Sequence, residues 1–239
     1  RLWVAPESKP LTYEFDNEAV DFEEIPDGVR IVQKPGPLSG LTKSLEIRLI
    51  PSRAQVRLTH VLTNGNKTPV FCAPWALTVM ASRGLAIIPL PPIIPHDERC
   101  TPNQNWSLWS YTDLADPRLK LGSRYVLLRQ DPARGPIKLG LAQKEGWVAY
   151  LLDGQLFVKR FEHQAEAVYP DGHVNFEVYS DERILELETL GSLTRLEPGQ
   201  SARHDEFWHA FNNVPECSNE REIDRRILPL IQKPGADPG

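Results

Sequence analysis

The sequence contains little cysteine and none of the motifs that paired cysteines form. Its 239 residues include three cysteines, Cys72, Cys100 and Cys217, which lie far apart in the chain. No Cys-x-x-Cys pair occurs, so the sequence does not support a zinc knot or a thioredoxin-type site. We interpret the three residues as buried free thiols. One disulfide with a spare thiol is the alternative for an exported protein.

Long apolar runs, basic charge and nucleotide-binding motifs are also missing. No run approaches the roughly 20 apolar residues of a membrane-spanning helix. A net charge of −5 offers no field that attracts nucleic acid. There is no phosphate loop, dinucleotide fingerprint or nucleophile elbow, and the six histidines show no metal-ligand spacing. We therefore expect no cofactor, no metal, no nucleic-acid partner and no membrane span, and a monomer or a weak homodimer.

The two ends of the chain carry less information than its middle. Residues Arg1–Ala5 resemble the interior of a strand, which indicates a truncated N-terminal start and leaves a cytoplasmic and an exported location equally open. The Pro/Gly-rich residues 233–239 are expected to form a flexible tail. Because no linker-like change of composition and no internal repeat occurs, we predict one domain over residues 1–239.

Proline, by contrast, is abundant and evenly spread, with 22 residues that interrupt long helices and favour short strands. Between the prolines, apolar and polar residues alternate with period two, which is typical of half-buried strands. Asp153-Gly154 separates two such segments and predicts a hairpin with a type I′ turn. One helix is predicted at residues 219–228, with acids at its start and bases at its end. The fold class is therefore all-β, with antiparallel sheets stacked as a large sandwich and one short C-terminal helix. The alternating segments are 45–50, 55–62, 125–129, 137–142, 147–152, 156–161 and 174–179.

The stretch from Ile184 to Phe211 predicts a hairpin with charged residues on one face. Glu186 and Glu188 lie two apart on its first strand, so their side chains share a face. Two neighbouring carboxylates repel, which raises one pKa where the site is partly buried and suits general acid/base catalysis. Solvent-exposed glutamates without such a role are the alternative. The second strand carries three residues of one parity that are expected to face the same pocket: His204, Glu206 and Trp208.

Charged and aromatic side chains also occur in other predicted strands. Aromatic rings stack on the apolar face of a sugar, and charged groups form strong hydrogen bonds with its hydroxyls. For each charged residue alone, a solvated outer face of the sandwich is the simpler explanation, and for the tryptophans core packing is. In the loop 106–118, a local ion pair between Asp116 and Arg118 is as well supported as ligand contact. The residues predicted to bind a sugar are Arg1, Trp75, Trp109, Lys138, Lys159, Glu177, Glu186, Glu206 and Trp208.

A further signal comes from the segments 1–7 (Arg-Leu-Trp-Val-Ala-Pro-Glu), 73–78 (Ala-Pro-Trp-Ala-Leu-Thr), 109–118, 156–161, 169–171 (Tyr-Pro-Asp) and 187–191 (Leu-Glu-Thr-Leu-Gly). They resemble an uncharacterised bacterial domain family related to the aldose 1-epimerases, which are galactose mutarotase-like. The likeness extends over about residues 1–211. It implies a β-supersandwich with a carbohydrate site on its concave face.

The resemblance also implies catalytic roles. In the epimerases a histidine acid and a glutamate base interconvert sugar anomers, and Glu188-Thr189 resembles the segment that carries the glutamate. Glu188 is therefore the predicted catalytic base. Ala73-Pro74-Trp75 stands where the histidine is expected, so the acid is missing from that place. The sequence does not choose among three replacements: His60, His204 and Lys159.

These observations predict a carbohydrate-active protein and leave three functions open. The first is an isomerase that interconverts the anomers of a sugar or sugar derivative with Glu188 as base. The second is a carbohydrate-binding domain without chemistry. The third is a glycoside hydrolase or lyase, which requires two carboxylates about 5–9 Å apart across the scissile bond. That function would pair Glu186 or Glu188 with a glutamate on another strand, such as Glu206 or Glu177.

Overall fold

The computed structural model describes residues 1–51 and 54–232, and it consists mainly of antiparallel strands, as the period-two pattern predicts. The predicted tail at residues 233–239 lies outside the described residues. The strands are β1 (Leu2–Ala5), β2 (Asp21–Ile25), β3 (Gly28–Val32), β4 (Leu41–Ile50), β5 (Gln55–Asn64), β6 (Val70–Met80), β7 (Leu85–Pro89), β8 (Trp106–Leu108), β9 (Leu119–Leu121), β10 (Tyr125–Arg129), β11 (Ile137–Leu141), β12 (Trp147–Leu152), β13 (Gln155–Phe161), β14 (Phe176–Ser180), β15 (Leu185–Leu190), β16 (Thr194–Leu196) and β17 (Ser201–Phe211). The helical segments are a 3-10 turn (Leu11–Tyr13), α1 (Pro170–His173), α2 (Glu220–Arg226) and α3 (Leu228–Ile231).

The described strands form two sheets. The seven-stranded sheet has the order β1-β6-β15-β14-β11-β8, with β16 also paired to β6. The ten-stranded sheet has the order β2-β3-β4-β5-β17-β13-β12-β7-β10-β9. Neighbouring strands run antiparallel in both sheets, so the prediction of an antiparallel sandwich is confirmed.

Alternate residues of the facing strands form the core between the sheets. Leu139, Val178 and Leu187 of the seven-stranded sheet share one buried cluster with Val126 and Val148 of the ten-stranded sheet. Because side chains alternate along a strand, the residues between these positions point away from the core. We call the face of the seven-stranded sheet that is turned away from the ten-stranded sheet the outer face.

Two local predictions hold in detail. Asp153 (φ 48°) and Gly154 (φ 75°) both have positive φ, as a type I′ turn requires, and they join β12 to β13. The C-terminal helix begins after Asn219, whose side chain caps it by accepting a hydrogen bond from the Glu222 backbone N–H at 3.1 Å. Helices α2 and α3, with Ile227 between them, bury Ile223, Ile227 and Ile231 against the far face of the ten-stranded sheet.

The predicted hairpin between Ile184 and Phe211 is wrong. Strand β15 pairs with β14 and β6 in the seven-stranded sheet, whereas β17 pairs with β5 and β13 in the ten-stranded sheet. The chain crosses from one sheet to the other between Leu190 and Ser201, through the short strand β16. Two alternating segments joined by a Pro-Gly turn are compatible with either arrangement, because period two says only which residues share a face.

The cysteines are free, as expected for an odd number of distant residues. Cys72 and Cys217 are buried, but Cys100 is exposed, which corrects the prediction that all three are buried. Within residues 1–51 and 54–232, none of the helices has both the length and the apolar character needed to span a bilayer.

Candidate functional site

Strands β6, β15, β14 and β11 bring several charged residues together on the outer face. Glu188 lies directly opposite Glu177 across the β15–β14 pair, and Glu186 lies opposite Tyr179. Lys138 of β11 lies opposite Tyr179 on its other side. Leu185 and Leu187, at the alternate positions of β15, face the core as the sequence predicts. We call the set Glu177, Glu186, Glu188, Lys138 and Trp75 the outer-face cluster.

Glu188 lies at the centre of the outer-face cluster and is 1% exposed. Its Oε2 accepts a hydrogen bond from the indole N–H of Trp75 at 2.8 Å and another from the Lys138 ammonium group at 3.0 Å. Trp75 itself is 2% exposed, so its ring is not available to stack on a ligand in this conformation. Glu188, the predicted base, is therefore enclosed, and its Oε2 already accepts two hydrogen bonds.

Lys138 connects two buried carboxylates. Its ammonium nitrogen lies 2.6 Å from Oε2 of Glu177 and 3.0 Å from Oε2 of Glu188. Burial alone would lower the pKa of Lys138, but Glu188 and Glu177 outweigh burial and raise it above its ordinary value. Burial raises the pKa of Glu177 well above its ordinary value, although Lys138 opposes the shift. The cluster therefore holds a permanent cation beside a carboxyl group that favours its protonated form.

Glu186 is the accessible acid of the outer-face cluster. Its side chain is half-buried, whereas Glu177 and Glu188 are buried. Burial, followed by the negative charge of Glu188, raises the pKa of Glu186 to about 7. A carboxyl group that titrates near neutrality exchanges protons efficiently in both directions.

Aromatic rings surround the outer-face cluster. The Lys138 ammonium group lies 4.6 Å from the ring centre of Trp75 and 4.7 Å from that of Trp109. Trp3 of β1 packs edge-on against Trp75, with ring centres 5.4 Å apart, and Tyr13 packs edge-on against Trp3 at 5.1 Å. Tyr13 and Tyr111 are each 44% exposed. The described surface around Lys138 and Trp75 therefore offers both apolar ring faces and hydroxyl groups.

A second group of charged residues lies between the sheets, and we call it the interior cluster: His60, Lys159, Thr189, His204 and Glu206. The Lys159 ammonium group contacts Oε1 of Glu206 at 2.8 Å and donates to the carbonyl of Leu187 at 2.9 Å. Oε2 of Glu206 lies 3.3 Å from Nε2 of His60 and accepts the indole N–H of Trp208 at 3.0 Å. Thr189 also donates to Glu206, and its hydroxyl lies 2.8 Å from Nε2 of His204.

Burial controls the protonation of the interior cluster. Lys159 and Glu206 are both 0% exposed. Burial lowers the pKa of Lys159, and Glu206 offsets part of that shift. Burial alone would raise the pKa of Glu206, but Lys159 and His60 outweigh it and hold the pKa well below its ordinary value. The pair is therefore a desolvated ion pair, completed by hydrogen bonds from Thr189 and Trp208.

The two clusters lie on opposite faces of β15. Glu188 points to the outer face, while its neighbour Thr189 contacts Glu206 in the interior. The expectation that His204 and Glu206 share a pocket with Glu188 is not met, because β17 belongs to the other sheet. The three proposed replacement acids all come from the ten-stranded sheet and face the interior side of β15: His60, Lys159 and His204.

The remaining residues predicted to bind a sugar lie beside the outer-face cluster, in the interior or at the exposed surface. Trp109 is half-buried beside Lys138, on the outer-face side. Trp208 is part of the interior, where its ring packs edge-on against Phe157 at 5.3 Å. The exposed guanidinium group of Arg1 lies 3.6 Å from Asp16 and 5.6 Å from the ring centre of Trp3. In the loop 106–118, Arg118 pairs with Asp116 at 2.9 Å, so the local ion pair is present.

Sequence reasoning missed the tyrosines and the role of one tryptophan. Tyr179 shares the parity of Glu177 on β14, so the period-two pattern contained a signal for it. Tyr13 is the last residue of the 3-10 turn, where no strand period applies. Trp75 was expected as a stacking surface, but it is the hydrogen-bond donor of Glu188. Among the described residues, no group of three or more His, Cys, Asp or Glu side chains is placed to hold a metal ion.

His204 makes the stability of the interior cluster depend on pH. Burial lowers the pKa of His204 from 6.5 to about 4. Between these values the unfolded chain binds a proton that the folded chain rejects, so stability is fully present above pH 6.5 and falls as the pH drops towards 4. We expect this residue to cost about 3 kcal/mol of unfolding free energy across that range. Urea unfolding at several pH values measures the slope.

The variant His204→Asn isolates this contribution. It is expected to be less stable than the unchanged protein above pH 6.5 and to lose the His204 part of the slope at lower pH, so the slope is the readout. Glu186 acts with the opposite sign, because its raised pKa removes stability as the pH rises from 4.5 to about 7. Because both proteins contain Glu186, its contribution cancels when the slopes of the variant and the unchanged protein are subtracted. His96→Asn, at an exposed site, is the control and should keep the slope. Equal slopes in all three proteins would contradict the assignment.

Comparison with solved structures identifies the architecture. A candidate aldose 1-epimerase of Escherichia coli K12 superimposes with a TM-score of 0.54 and 12% identity, over 82% of this chain and 69% of that one. A galactose mutarotase-like protein of Lactobacillus casei ATCC 334 gives a TM-score of 0.53 and 11% identity, over 80% of this chain and 73% of that one. The chain has a galactose mutarotase-like fold.

A third similar structure agrees with this result. The galactose mutarotase related enzyme of Lactobacillus acidophilus matches with a TM-score of 0.50 and 8% identity, over 85% of this chain and 74% of that one. No protein-family model matches the sequence, and no curated protein matches it either. Identities this low establish the fold and not the reaction, so the resemblance to aldose 1-epimerases is confirmed at the level of architecture.

Proposed function

We propose that the protein binds a carbohydrate at the outer-face cluster and interconverts the anomers of a sugar or sugar derivative by acid/base catalysis. The observation that carries the proposal is the row of carboxylates beside Lys138, bordered by aromatic rings, with Glu186 as its accessible member. The galactose mutarotase-like fold supports the reaction class by analogy.

The structure suggests a division of roles between the two glutamates of β15. Glu188, the predicted base, is 1% exposed and accepts hydrogen bonds from Trp75 and Lys138, so a sugar hydroxyl does not reach it without rearrangement. Glu186 is on the same face and accessible, with a pKa of about 7. In our proposal Glu186 exchanges protons with the substrate, and burial together with the charge of Glu188 holds the pKa of Glu186 near neutrality.

The proposed step follows from the chemistry of ring opening. Glu186 removes the proton from the anomeric hydroxyl, whose electron pair forms the carbonyl as the bond between the anomeric carbon and the ring oxygen breaks. The ring oxygen takes a proton from the hydroxyl of Tyr179, which lies directly opposite Glu186 on β14. Rotation about the bond to the carbonyl carbon and the reverse reaction then produce the other anomer. Lys138 stays protonated throughout, because Glu188 and Glu177 raise its pKa.

The variant Glu186→Gln tests the proposal. We expect the rate of anomer exchange to fall by about 100-fold or more, the usual contribution of a positioned acid/base group. Exchange is measured by polarimetry and by NMR exchange spectroscopy on a panel of aldoses and their derivatives. Unchanged rates in this variant for every sugar that exchanges, or no exchange above the uncatalysed rate in the unchanged protein, would reject the proposed role.

Glu188→Gln gives a separate and sharper readout. Because the charge of Glu188 helps to raise the pKa of Glu186, its removal should move the acid limb of the pH–rate profile to lower pH. Activity should otherwise persist. If Glu188 is itself the base, Glu188→Gln loses activity at every pH and Glu186→Gln does not. Saccharide binding by calorimetry without any exchange would instead indicate a carbohydrate-binding domain without chemistry.

The arrangement favours this reaction over hydrolysis. Glu177 and Glu188 face each other on neighbouring strands, but both contact Lys138 and both are buried, so no room for a scissile bond lies between them. Glu206 lies on the other side of β15. The pairs of carboxylates that a glycoside hydrolase or lyase would require are therefore blocked or separated.

A further inference from the structure

A cavity of about 630 Å³ has Tyr13 in its lining, one of the aromatic rings that border the outer-face cluster. Residues 10–19 form one wall, the loop 33–38 between β3 and β4 forms another, and Leu41 and Lys43 of β4 complete the lining. This volume is within the range of sites that hold small organic ligands. The sequence contained no signal for the cavity, because its walls come from irregular segments.

Glu14 ties the two walls together. Its carboxylate accepts hydrogen bonds from the backbone N–H of Leu38 at 3.0 Å and of Ser39 at 3.2 Å, and also from the Ser39 hydroxyl. Gly36 allows this close approach, since a Cβ atom there would lie 1.9 Å from Oε1 of Glu14. Hydrogen bonds therefore join the two walls of the cavity without a ligand.

Lys43 is the residue of the cavity lining that most favours a bound ligand. Its side chain lines the cavity and is 5% exposed, yet its ammonium group has no hydrogen bond and no ion pair within 4.0 Å among the described residues. Burial lowers its pKa, and the more distant Asp16 and Glu14 offset part of that shift. The ammonium nitrogen opens into the cavity, where a bound oxygen atom would supply an acceptor that the described residues do not.

The other charges around the cavity already have partners. Asp16 lies 3.6 Å from the Arg1 guanidinium group, and Lys34 lies 3.8 Å from Glu18. The lining contains three carboxylates and two lysines, so the local charge does not favour an anion. Hydroxyl groups suit this mixture, because they accept from Lys43 and donate to the carboxylates.

Aromatic rings connect the cavity to the outer-face cluster. Tyr13 lines the cavity and packs against Trp3 at 5.1 Å, Trp3 packs against Trp75 at 5.4 Å, and Trp75 donates its N–H to Glu188. Phe15, also in the lining, is 89% exposed, which leaves a bare ring at the rim. Exposed rings beside hydroxyl-binding groups are suited to the apolar and polar parts of a pyranose.

We propose that this cavity is a second saccharide subsite, in which Lys43 donates hydrogen bonds to a neutral sugar unit of an oligosaccharide that reaches along Tyr13 to the outer-face cluster. The proposal rests on the proposed function for the identity of the ligand as a saccharide. It adds that the preferred substrate has more than one sugar unit and that the second unit is uncharged.

The variant Lys43→Met tests the subsite, and Lys34→Met is its matched control. Methionine keeps the apolar stem of Lys43 and removes the buried charge, so the variant is expected to fold. Lys34 lines the same cavity, but it is exposed and paired. Calorimetry on the full chain measures binding of glucose, galactose and mannose and of their β-1,4-linked di- and trisaccharides, with a uronic acid trisaccharide as the charged comparison.

We expect the di- or trisaccharide of at least one series to bind more tightly than its monosaccharide. Lys43→Met should remove this gain, weakening the longer ligand by about tenfold more than the monosaccharide. Lys34→Met should bind as the unchanged protein does.

Four results would overturn the subsite: affinity that does not depend on chain length, equal losses in both lysine variants, Lys43-dependent binding of the uronic acid trisaccharide alone, or no binding of any di- or trisaccharide. The two proposals fail separately. Anomer exchange without a length effect rejects the subsite and keeps the proposed function. A Lys43-dependent gain in affinity with saccharide length, without anomer exchange, supports the subsite and rejects the proposed isomerase reaction.

Discussion

Replacing Lys138 with methionine is expected to lower the free energy of unfolding by about 3–5 kcal/mol at neutral pH. The ammonium group of Lys138 is the cation that contacts the buried carboxylates of Glu177 and Glu188, at 2.6 and 3.0 Å. Without it, Glu188 loses its compensating charge, and Glu177, whose pKa burial already raises, loses the cation that opposes its protonation. Urea unfolding followed by circular dichroism measures the loss.

Two further measurements show whether the loss comes from the charges. In an acidic buffer the carboxylates of the Lys138→Met variant protonate, so the difference from the unchanged protein should become smaller. The double variant Lys138→Met with Glu177→Gln removes one carboxylate and should recover part of the stability. Lys120→Met, at an exposed position of β9, is the control and should change stability by less than about 0.5 kcal/mol. A Lys138→Met loss as small as that of the control would show that the cluster is solvated in solution.

The second large effect is expected in the interior cluster. Glu206→Gln removes the negative charge that compensates Lys159, which is 0% exposed and also donates to the carbonyl of Leu187. A buried ion pair that loses one member typically costs about 3–5 kcal/mol, because the remaining charge is uncompensated. The remaining Lys159 is expected to lose its proton, since burial already lowers its pKa and the opposing charge of Glu206 is gone.

The double variant Lys159→Met with Glu206→Gln distinguishes the cost of an unpaired buried charge from the cost of losing the ion pair as a whole. Methionine places an apolar side chain where the desolvated ammonium group was, so the double variant should be more stable than Glu206→Gln alone. Asp205→Asn is the control on the same strand, because Asp205 faces away from the interior and pairs with the partly exposed Arg57 at 3.2 Å. It should cost about 1 kcal/mol or less. Additive losses in the double variant would contradict a coupled pair.

Variants of the outer-face cluster are expected to change anomer exchange, whereas variants of the interior cluster are not. Lys138→Met removes a contact of Glu188, and Glu188 shapes the pKa of Glu186, so anomer exchange should change along with stability. Glu206 and Lys159 lie on the interior side of β15 and touch none of the outer-face residues in the proposed reaction. Their variants should lower stability and leave the pH–rate profile in place at temperatures where the protein is folded.

Several features follow from local sequence alone. The alternation along β15 assigns Glu186 and Glu188 to one face and Leu185 and Leu187 to the other, because side chains alternate in every strand whatever its neighbours. Asp153-Gly154 determines its turn, because both residues tolerate the positive φ that a type I′ turn requires. Asn219 marks the start of α2 through its own cap. The resemblance of short segments also pointed to the architecture that the solved structures share.

Tertiary structure alone decided which charged residues meet. The alternating pattern of β17 is the same whether it pairs with β15 or enters the other sheet, so the sequence does not specify that Glu206 contacts Lys159 and not Glu188. The pKa of Glu186 depends on burial and on Glu188, and burial is a property of the whole packed face. The cavity at Lys43 forms only when the irregular residues 10–19 fold over β4, which no periodicity records. Local sequence determines the face on which each side chain lies, and the choice of strand partners across the two sheets determines the chemistry of that face.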